Sequence, residues 1–238
     1  MTWSLLARDE EGRFGVAIAS RFFAVGALCV HTKGGVGAIS TQALMNPLYG
    51  IDGLALLGLG LGADCVVARL IAADAGRDQR QLHVMPAVGE AAAHTGSACV
   101  DWCGHRVFED FSVAGNMLAG PQVLQATADA FASSAGRPLS QRLIAAMQAG
   151  EAAGGDKRGK QSAALRVQGL EDYPELDLRV DDHADPLAKM QRLYEVSLER
   201  FQPFVACLAK RGDPTGELDR GRIEAAVERF HAARRGEV

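Results

Sequence analysis

Aromatic residues are scarce in this sequence, at only 6% of its 238 residues. A core must therefore be built mainly from aliphatic side chains, and the 48% share of hydrophobic residues is enough for one large domain. A strongly positive charge is also absent, since 25 basic residues are outnumbered by 29 acidic ones and the net charge is −4. Nucleic-acid-binding proteins need a positive field, so we expect no nucleic-acid partner.

Long apolar runs are missing as well. The longest, around residues 54–61, is short and contains glycines, so it is not a membrane span. The sequence begins MTWSLLARDEEG, without the basic and apolar regions of a signal peptide. Five scattered cysteines indicate reduced thiols rather than a disulfide framework. These features predict a cytoplasmic protein that binds no membrane.

The first twenty residues predict a β-hairpin. Two short apolar segments, WSLLAR and FGVAIAS, flank the turn sequence DEEGR, in which Gly12 supplies the left-handed position. This register pairs Thr2 with Ser20 and Leu6 with Val16, and it leaves both faces of the hairpin apolar. A strand pair that is apolar on both faces needs a covering layer on each side.

The rest of the chain alternates between groups of strands and pairs of helices. We predict strands at 28–32, 36–41, 81–86, 90–94, 107–113, 162–167 and 176–180, and helices within 47–73 and at 121–134, 138–150, 186–210 and 218–233. Strands in adjacent, hairpin-forming pairs favour antiparallel sheets over a doubly wound parallel sheet. The pattern therefore predicts an α+β fold, a four-layer αββα sandwich of two antiparallel sheets flanked by helices.

Two parts of the chain differ in this pattern. Residues 1–184 would form the sandwich domain and residues 185–238 a helical C-terminal extension. The extension begins with a long amphipathic helix that carries one apolar stripe. Such a stripe packs on the domain or mediates dimerisation, and we expect a homodimer.

Thr2 is the sharpest candidate for chemistry. Its small side chain favours removal of Met1, which would give Thr2 a free α-amine. A hydroxyl is a weak nucleophile until a base accepts its proton, and an amine with a pKa of roughly 7.7–8.0 can do so near neutral pH. The alternative is that Thr2 only begins an edge strand.

A second constellation is the segment GEAAGGDKRGKQSAAL, where a glycine-rich basic loop enters a strand. Its chemistry-bearing residues are Asp156, Lys157, Lys160, Gln161 and Ser162. A lysine here could lower the pKa of the Thr2 amine or bind a substrate carboxylate. The alternative interpretation is a solvated basic turn.

Uncharged polar residues supply a third set of candidates. Thr41, Gln42 and Asn116 carry groups that could form an oxyanion hole. Asn116 could equally be a turn former or a helix cap.

Acidic and metal-ligating residues occur in two places. Asp182 and His183 follow Asp181, so this segment could position substrate, pair with the basic loop or hold a hard cation. The other group, His94, Cys99, Cys103 and His105, does not have the spacing of a zinc site. We predict neither a metal nor an organic cofactor.

Several ordered motifs resemble the DUF1028 family. They are the opening TWSLLARDEEGRFGVAIASRFFAVGA, then GVGAISTQALMNPLYG, AHTG, GHRV, AGNMLAG, GEAAGGDKRGKQSAAL and DLRVDDHADP. The resemblance implies the fold of the N-terminal-nucleophile (Ntn) hydrolases and a start similar to that of proteasome β subunits. There, a Thr-led strand is followed by a second strand ending in Ser-Arg, here Ser20 and Arg21.

The resemblance also implies roles for particular residues. Thr2 and Ser20 would be catalytic, with Arg21 beside the substrate. Two departures stand against the transfer: Ala19 replaces the acidic residue that precedes Ser-Arg, and Lys33, at a plausible distance for the catalytic lysine, is on a predicted turn.

These observations support three functional hypotheses. The first is an amidohydrolase in which Thr2 attacks an amide bond of a small anionic substrate. The second is a non-catalytic protein that binds a small ligand on the same fold. The third is a metal-dependent hydrolase that uses Asp181, Asp182 and His183.

Overall fold

Ten β-strands form two antiparallel sheets in the computed structural model, which describes residues 2–236. The strands are β1 Thr2–Arg8, β2 Phe14–Ser20, β3 Val30–Lys33, β4 Gly37–Ala43, β5 Arg80–Pro86, β6 Ala92–Thr95, β7 Trp102–Val107, β8 Phe111–Leu118, β9 Ser162–Gln168 and β10 Leu176–Val180. With the helices between them they confirm the mixed α+β class.

The N-terminal hairpin lies at the centre of the larger sheet, whose order is β10-β9-β2-β1-β8-β7. Thr2 pairs with Ser20 and Leu6 with Val16, as predicted. Gly12 closes the turn with φ of 74°, and its N–H donates to the carbonyl of Asp9. The turn therefore fixes the register of the two strands that supply most of the candidate site.

The smaller sheet has the order β3-β4-β5-β6. Its central strands, β4 and β5, contact strands β1, β2 and β8 of the larger sheet. Part of the layer between the sheets is an apolar cluster. The cluster contains Leu6, Phe14, Val16, Ile18, Val25, Cys29, Val30, Ala38, Met85, Ala91 and Ala164.

Helices pack against both sheets. Those before residue 190 are α1 Gly26–Cys29, α2 Leu48–Gly58, α3 Ala63–Ala72, α4 Pro121–Ser133 and α5 Leu139–Ala152. Helices α2 and α3 contact β4 and β5, whereas α4 and α5 contact β8 and β2. Gly15 of β2 shows how close the second contact is, because a Cβ there would lie 2.8 Å from a Leu143 methyl group.

The chain divides into two compact units, residues 1–190 and 191–238. Helix α6, Pro186–Glu199, begins in the first and continues into the second, which also contains α7 Phe201–Val205 and α8 Arg220–Arg235. The predicted boundary at 184/185 lies a few residues from this division. None of the helices within residues 2–236 is both long and apolar enough to cross a bilayer.

Three local predictions differ from the structure. The segment at 28 is the end of α1 rather than a strand. Strand β7 was not predicted because its sequence, WCGHRV, interrupts apolar residues with glycine, histidine and arginine, and none of its residues is buried. The predicted helix 186–210 breaks after Glu199. Pro203 explains the break, because a proline removes one helical N–H and its ring clashes with the carbonyl four residues earlier.

Candidate functional site

A row of polar residues crosses four adjacent strands of the larger sheet at one end. Asn116 of β8 is opposite Thr2 of β1, Thr2 is opposite Ser20 of β2, and Ser20 is opposite Ser162 of β9. All four residues are buried. Directly opposed residues in antiparallel strands project from the same face, so the backbone register alone brings these side chains together.

Thr2 and Ser20 are in direct contact. Their hydroxyl oxygens are 3.0 Å apart, and either can be the donor. The side chains lie on the face that points toward the smaller sheet, because Ser4, two residues along β1, reaches Gln42 of β4 with an Oγ–Oε1 distance of 2.6 Å. The Thr2 hydroxyl is therefore at one end of the layer between the two sheets.

Ser162 fixes the chain that leaves β2. Its Oγ donates to the carbonyl of Phe22 and accepts from the N–H of Val25. Arg21 and Phe22 are exposed here, next to the buried Ser20. This segment therefore places a guanidinium group near the end of the strand pair that carries Thr2.

Asp156 is a buried carboxylate beside the same segment. Its Oδ2 accepts from the N–H of Arg21 at 3.1 Å and its Oδ1 from the N–H of Arg158 at 2.8 Å. Its backbone also bridges to Leu118, two residues after Asn116. Burial raises the pKa of the Asp156 carboxyl above its ordinary value, while the two N–H donors act in the opposite direction.

The other predicted residues of the basic loop differ in their surroundings. Lys160 donates to Glu151 at 2.7 Å and lies 3.4 Å from Asp185, so its charge is neutralised. Lys157 is half-exposed and 3.8 Å from Asp101. Lys157 is thus the more accessible lysine of the two.

Gln161 connects the loop to the segment after β10. Its N–H donates to the carbonyl of Ser20, its carbonyl accepts from the N–H of His183, and its side-chain amide donates to Asp182 at 3.0 Å. The structure therefore brings Gln161, Asp182 and His183 together at the same end of the sheet as Thr2.

Asp181, Asp182 and His183 do not converge on one point. Asp181 pairs with Arg179, and the Nδ1 of His183 accepts from the N–H of Asp185. Across residues 2–236, no group of three or more His, Cys, Asp or Glu side chains is arranged to hold a metal ion.

Two predicted site residues lie elsewhere. Lys33 follows Thr32, whose hydroxyl donates to Gln168, and Gln168 is opposite Phe14 at the far end of β2 from Ser20. A seven-residue strand separates these ends by about 20 Å, so Lys33 does not reach Thr2.

Thr41 is on the opposite face of β4 from Gln42. Its Oγ1 accepts from the N–H of Asn46 and so stabilises the turn before α2. Because neighbouring residues of a strand point to opposite faces, Thr41 is directed away from the layer that contains Thr2.

Gln81 of β5 joins the predicted site to the smaller sheet. It is fully buried, and its Oε1 accepts from the amide groups of Asn116 at 3.0 Å and Gln42 at 2.8 Å. Its Nε2 lies within hydrogen-bonding distance of the Thr95 hydroxyl and of the Gly115 carbonyl. One side chain therefore fixes the orientation of Asn116, the residue opposite Thr2.

His83 continues the polar network along β5. Its Nε2 lies 2.8 Å from Ser4 Oγ and its Nδ1 lies 2.7 Å from Ser112 Oγ. Since Ser4 uses its one proton to donate to Gln42, it accepts from His83 Nε2–H, and Nδ1 accepts from Ser112. Burial, with a smaller contribution from His105, lowers the pKa of His83 to about 3.

Strained backbone surrounds this end of the molecule. The four non-glycine residues with positive φ among residues 2–236 are Ala24, Ala43, Asp101 and Met117. Ala43 follows Gln42 and Met117 follows Asn116, while the N–H of Met117 donates to the carbonyl of Val100, next to Asp101. Such conformations are uncommon and cluster at functional sites.

Comparison with known proteins decides the family. Residues 2–190 match DUF1028, a family of unknown function. The chain belongs to the DUF1028 family. Protein SPO2555 from Silicibacter pomeroyi, a DUF1028 protein of known crystal structure, is 32% identical, with 92% of this chain and 96% of that chain covered and a TM-score of 0.85.

A more distant structure is Anbu, the ancestral β-subunit, from Yersinia bercovieri. It is 11% identical to this DUF1028 protein, with 82% of this chain and 94% of that chain covered and a TM-score of 0.43. No curated protein matches the sequence.

Sequence reasoning missed the part of this DUF1028 site that joins the two sheets. The missed residues are Ser4 and Ser112 of the larger sheet and Gln81 and His83 of the smaller one. A signal for them exists, because polar residues recur at a spacing of two in otherwise apolar strands, as Thr2 and Ser4 do on β1 and Gln81 and His83 on β5. Period two places each pair on one face, and polar pairs on several buried strands need one another as partners.

Proposed function

We propose that this protein is an Ntn-type amidohydrolase with a four-layer αββα sandwich, and that Thr2 is its nucleophile. One observation carries the proposal: the Thr2 and Ser20 hydroxyls are 3.0 Å apart, with Asn116 on the other side of Thr2. Two hydroxyl groups and a side-chain amide thus share one face at one end of the larger sheet. The strained residues around this end support a functional role for it.

The proposed reaction requires Met1 to be removed. The α-amine of Thr2 would then accept the proton of Thr2 Oγ1 while that oxygen attacks the amide carbon. The C–N bond breaks, the leaving amine takes the proton from the α-amine, and the acyl group remains on Thr2. Water then hydrolyses the ester and regenerates the hydroxyl.

Ser20 and Asn116 have supporting roles in this proposal. Ser20 would hold the Thr2 hydroxyl in position by hydrogen bonding. Asn116, whose amide group is fixed by Gln81, is the candidate that polarises the substrate carbonyl or stabilises the oxyanion.

The substrate class follows from charge and exposure. Arg21 is exposed and forms no ion pair with another residue of the 2–236 range, and Lys157 is half-exposed. A guanidinium group suits a carboxylate or a phosphate. We therefore propose a small anionic amide as the substrate; the cytoplasmic location and the homodimer stay predictions.

A non-catalytic binding protein is the second candidate. One observation favours it: Lys33 lies at the far end of β2, so it cannot act on Thr2 as the lysine of a proteasome-type site would. In that case the same polar end would bind the anionic amide without cleaving it.

The test starts with N-terminal sequencing and intact mass of protein made in a host that removes Met1. A chain that begins at Thr2 is then screened for release of amine from small anionic amides, with Thr2→Ser and Thr2→Val as variants. We expect Thr2→Ser to retain activity and Thr2→Val, which has the same shape but no hydroxyl, to lose it. Retention of Met1, or equal activity of Thr2→Val, would overturn the proposal.

A further inference from the structure

A cavity of about 460 Å³ lies within the second unit. Its walls come from the loop after α7 and from α8, and all lining residues are between 206 and 229. This volume is in the roughly 300–1,000 Å³ range of small-molecule sites. It is separate in sequence from every residue of the Thr2 site, and nothing in the proposed hydrolysis uses it.

One face of α8 forms a wall of the cavity. Arg222, Ala225, Ala226 and Arg229 all line it, at positions i, i+3, i+4 and i+7 of one helix face. The two alanines leave room between two guanidinium groups whose backbone positions are about 10 Å apart along the helix. Lys210 of the loop also lines the cavity, so three cationic residues surround the space.

The carboxylates of the lining are already engaged. Asp213 Oδ1 accepts from the N–H of Gly216, and Glu217 Oε1 accepts from the N–H of Asp219. The other oxygen of Glu217 is 3.7 Å from Arg222, whose side chain is largely exposed. These bonds hold the loop against the start of α8 and leave the acids with less capacity to neutralise the cations.

Two of the three cationic residues that line the cavity, Lys210 and Arg229, form no ion pair with another described residue. Within the described range, Lys210 makes only backbone hydrogen bonds, to Asp213, and Arg229 makes no side-chain hydrogen bond or ion pair. The second unit is also less acidic than the rest of the chain. Residues 191–238 contain nine basic and eight acidic residues, whereas residues 1–190 contain 16 basic and 21 acidic residues.

We propose that this cavity binds a small organic anion with at least two separated carboxylate or phosphate groups. One anionic group would pair with Arg229 and another with Arg222 or Lys210, since guanidinium groups bind both kinds of oxyanion through two parallel hydrogen bonds. The spacing of the two arginines favours a ligand with two anionic groups over a single small ion. The proposal does not depend on the Thr2 hydrolase.

Calorimetric titration of the full chain tests the proposal, with citrate and pyrophosphate as probes and acetate as a monovalent comparison. We expect saturable one-to-one binding of at least one of the two polyanions in the submillimolar range and much weaker binding of acetate. Comparison of citrate with pyrophosphate shows whether the cavity prefers a ligand with carboxylate groups or one with phosphate groups.

Three variants place the binding in the cavity. Arg229→Gln and Lys210→Gln should each lower the affinity for the probe about tenfold, which is the loss expected for one charge-assisted hydrogen bond. Ala225→Leu should block binding by filling the space without changing the charge. Arg220→Gln, an exposed residue of α8 outside the lining, should bind like the unmodified protein.

Cys207 provides a second measurement because it also lines the cavity. Its alkylation, followed by peptide mass spectrometry, should slow when the probe is bound, whereas alkylation of the exposed Cys65 should not change. Absence of saturable binding by both polyanions, or an equal affinity of Arg229→Gln and Arg220→Gln, overturns the proposal. So does binding that is lost in Lys157→Gln and kept in Arg229→Gln.

Discussion

The layer between the two sheets has two halves that are equally buried and differently built. At one end Leu6, Val16, Ile18, Ala38 and Met85 pack as an apolar cluster. At the other end strands β1, β4, β5 and β8 contribute Ser4, Gln42, Gln81, His83 and Asn116, which bind one another through hydrogen bonds. Strands β1, β4 and β5 contribute to both halves, so along these strands the side chains distinguish the halves.

The difference shows how a fold can keep one part of its core adaptable and another part fixed. Apolar packing is non-directional, and substitutions that conserve volume usually cost little. A buried hydrogen-bond network is directional, and each partner that is lost leaves another group unpaired. The polar half is the half that ends at Thr2, so the region that needs defined geometry is built from the interactions that impose it.

The largest expected effect in the polar half comes from Gln81→Leu. This change leaves the amide donors of Gln42 and Asn116 without their shared acceptor. Each orphaned buried donor costs about 1–3 kcal/mol, so we expect the free energy of unfolding to fall by about 4 kcal/mol. Urea unfolding followed by circular dichroism measures this loss.

Met85→Leu is the matched control for Gln81→Leu. Met85 is four residues along β5, on the same face and in the apolar half. Its volume-conserving change should cost less than about 1.5 kcal/mol. Equal losses for the two variants would contradict the distinction between the two halves.

His83 should make the polar half sensitive to acid. Its pKa is about 3 in the folded protein and about 6.5 when unfolded, so the unfolded chain binds the proton more readily. The contribution of the neutral ring to stability is complete above about pH 6.5 and is lost as the pH falls toward 3. The expected slope for this one group is about 1.4 kcal/mol per pH unit below about pH 6.

Unfolding in urea at several pH values between 7.5 and 4.5 measures that slope. His83→Gln should remove it, although the variant is less stable at neutral pH. His94→Gln serves as the control, since His94 is partly exposed and its ring Nε2 bonds the backbone carbonyl of Arg77. If the slope in His83→Gln equals that in His94→Gln, acid sensitivity arises elsewhere in the protein.

Ser40→Ala should have the smallest effect on the free energy of unfolding. It tests whether a buried polar group without a hydrogen-bond partner contributes to stability. Ser40 is opposite His83 in the smaller sheet, fully buried, and its hydroxyl has no hydrogen-bond partner. Removing an unpaired hydroxyl relieves its desolvation cost, so we expect the free energy of unfolding to stay unchanged or to rise by up to about 1 kcal/mol. A decrease above about 1 kcal/mol would show that the hydroxyl is paired in solution.

The hairpin and its register could be predicted because turn chemistry and alternation are local. Gly12 fixed the turn, and the turn alone placed Ser20 opposite Thr2. Asn116 was predicted only as an uncharged polar group, since its place beside Thr2 depends on a pairing between residues more than 100 positions apart.

The predicted place of Lys33 near Thr2 is wrong for the same reason, namely that it depends on how distant parts of the chain pack. A lysine at a suitable distance along the chain was expected near Thr2, but β3 lies in the other sheet and runs toward the opposite end. Gln81 and His83 were missed because a polar residue in an apolar strand becomes informative only when its partners on other strands are known.

The central position of the hairpin in the larger sheet also bears on how the chain is made. Both faces of β1 and β2 carry apolar side chains, yet β8 and β9, the strands on either side, end at Leu118 and Gln168. During synthesis the two edges of the hairpin therefore stay unpaired until residues 111–118 and 162–168 have also been made. Such long-range pairing is slow to form and leaves unpaired strand edges open to aggregation. We therefore expect the sheet that holds Thr2 in a fixed place in the folded protein to be the part of the nascent chain most open to aggregation.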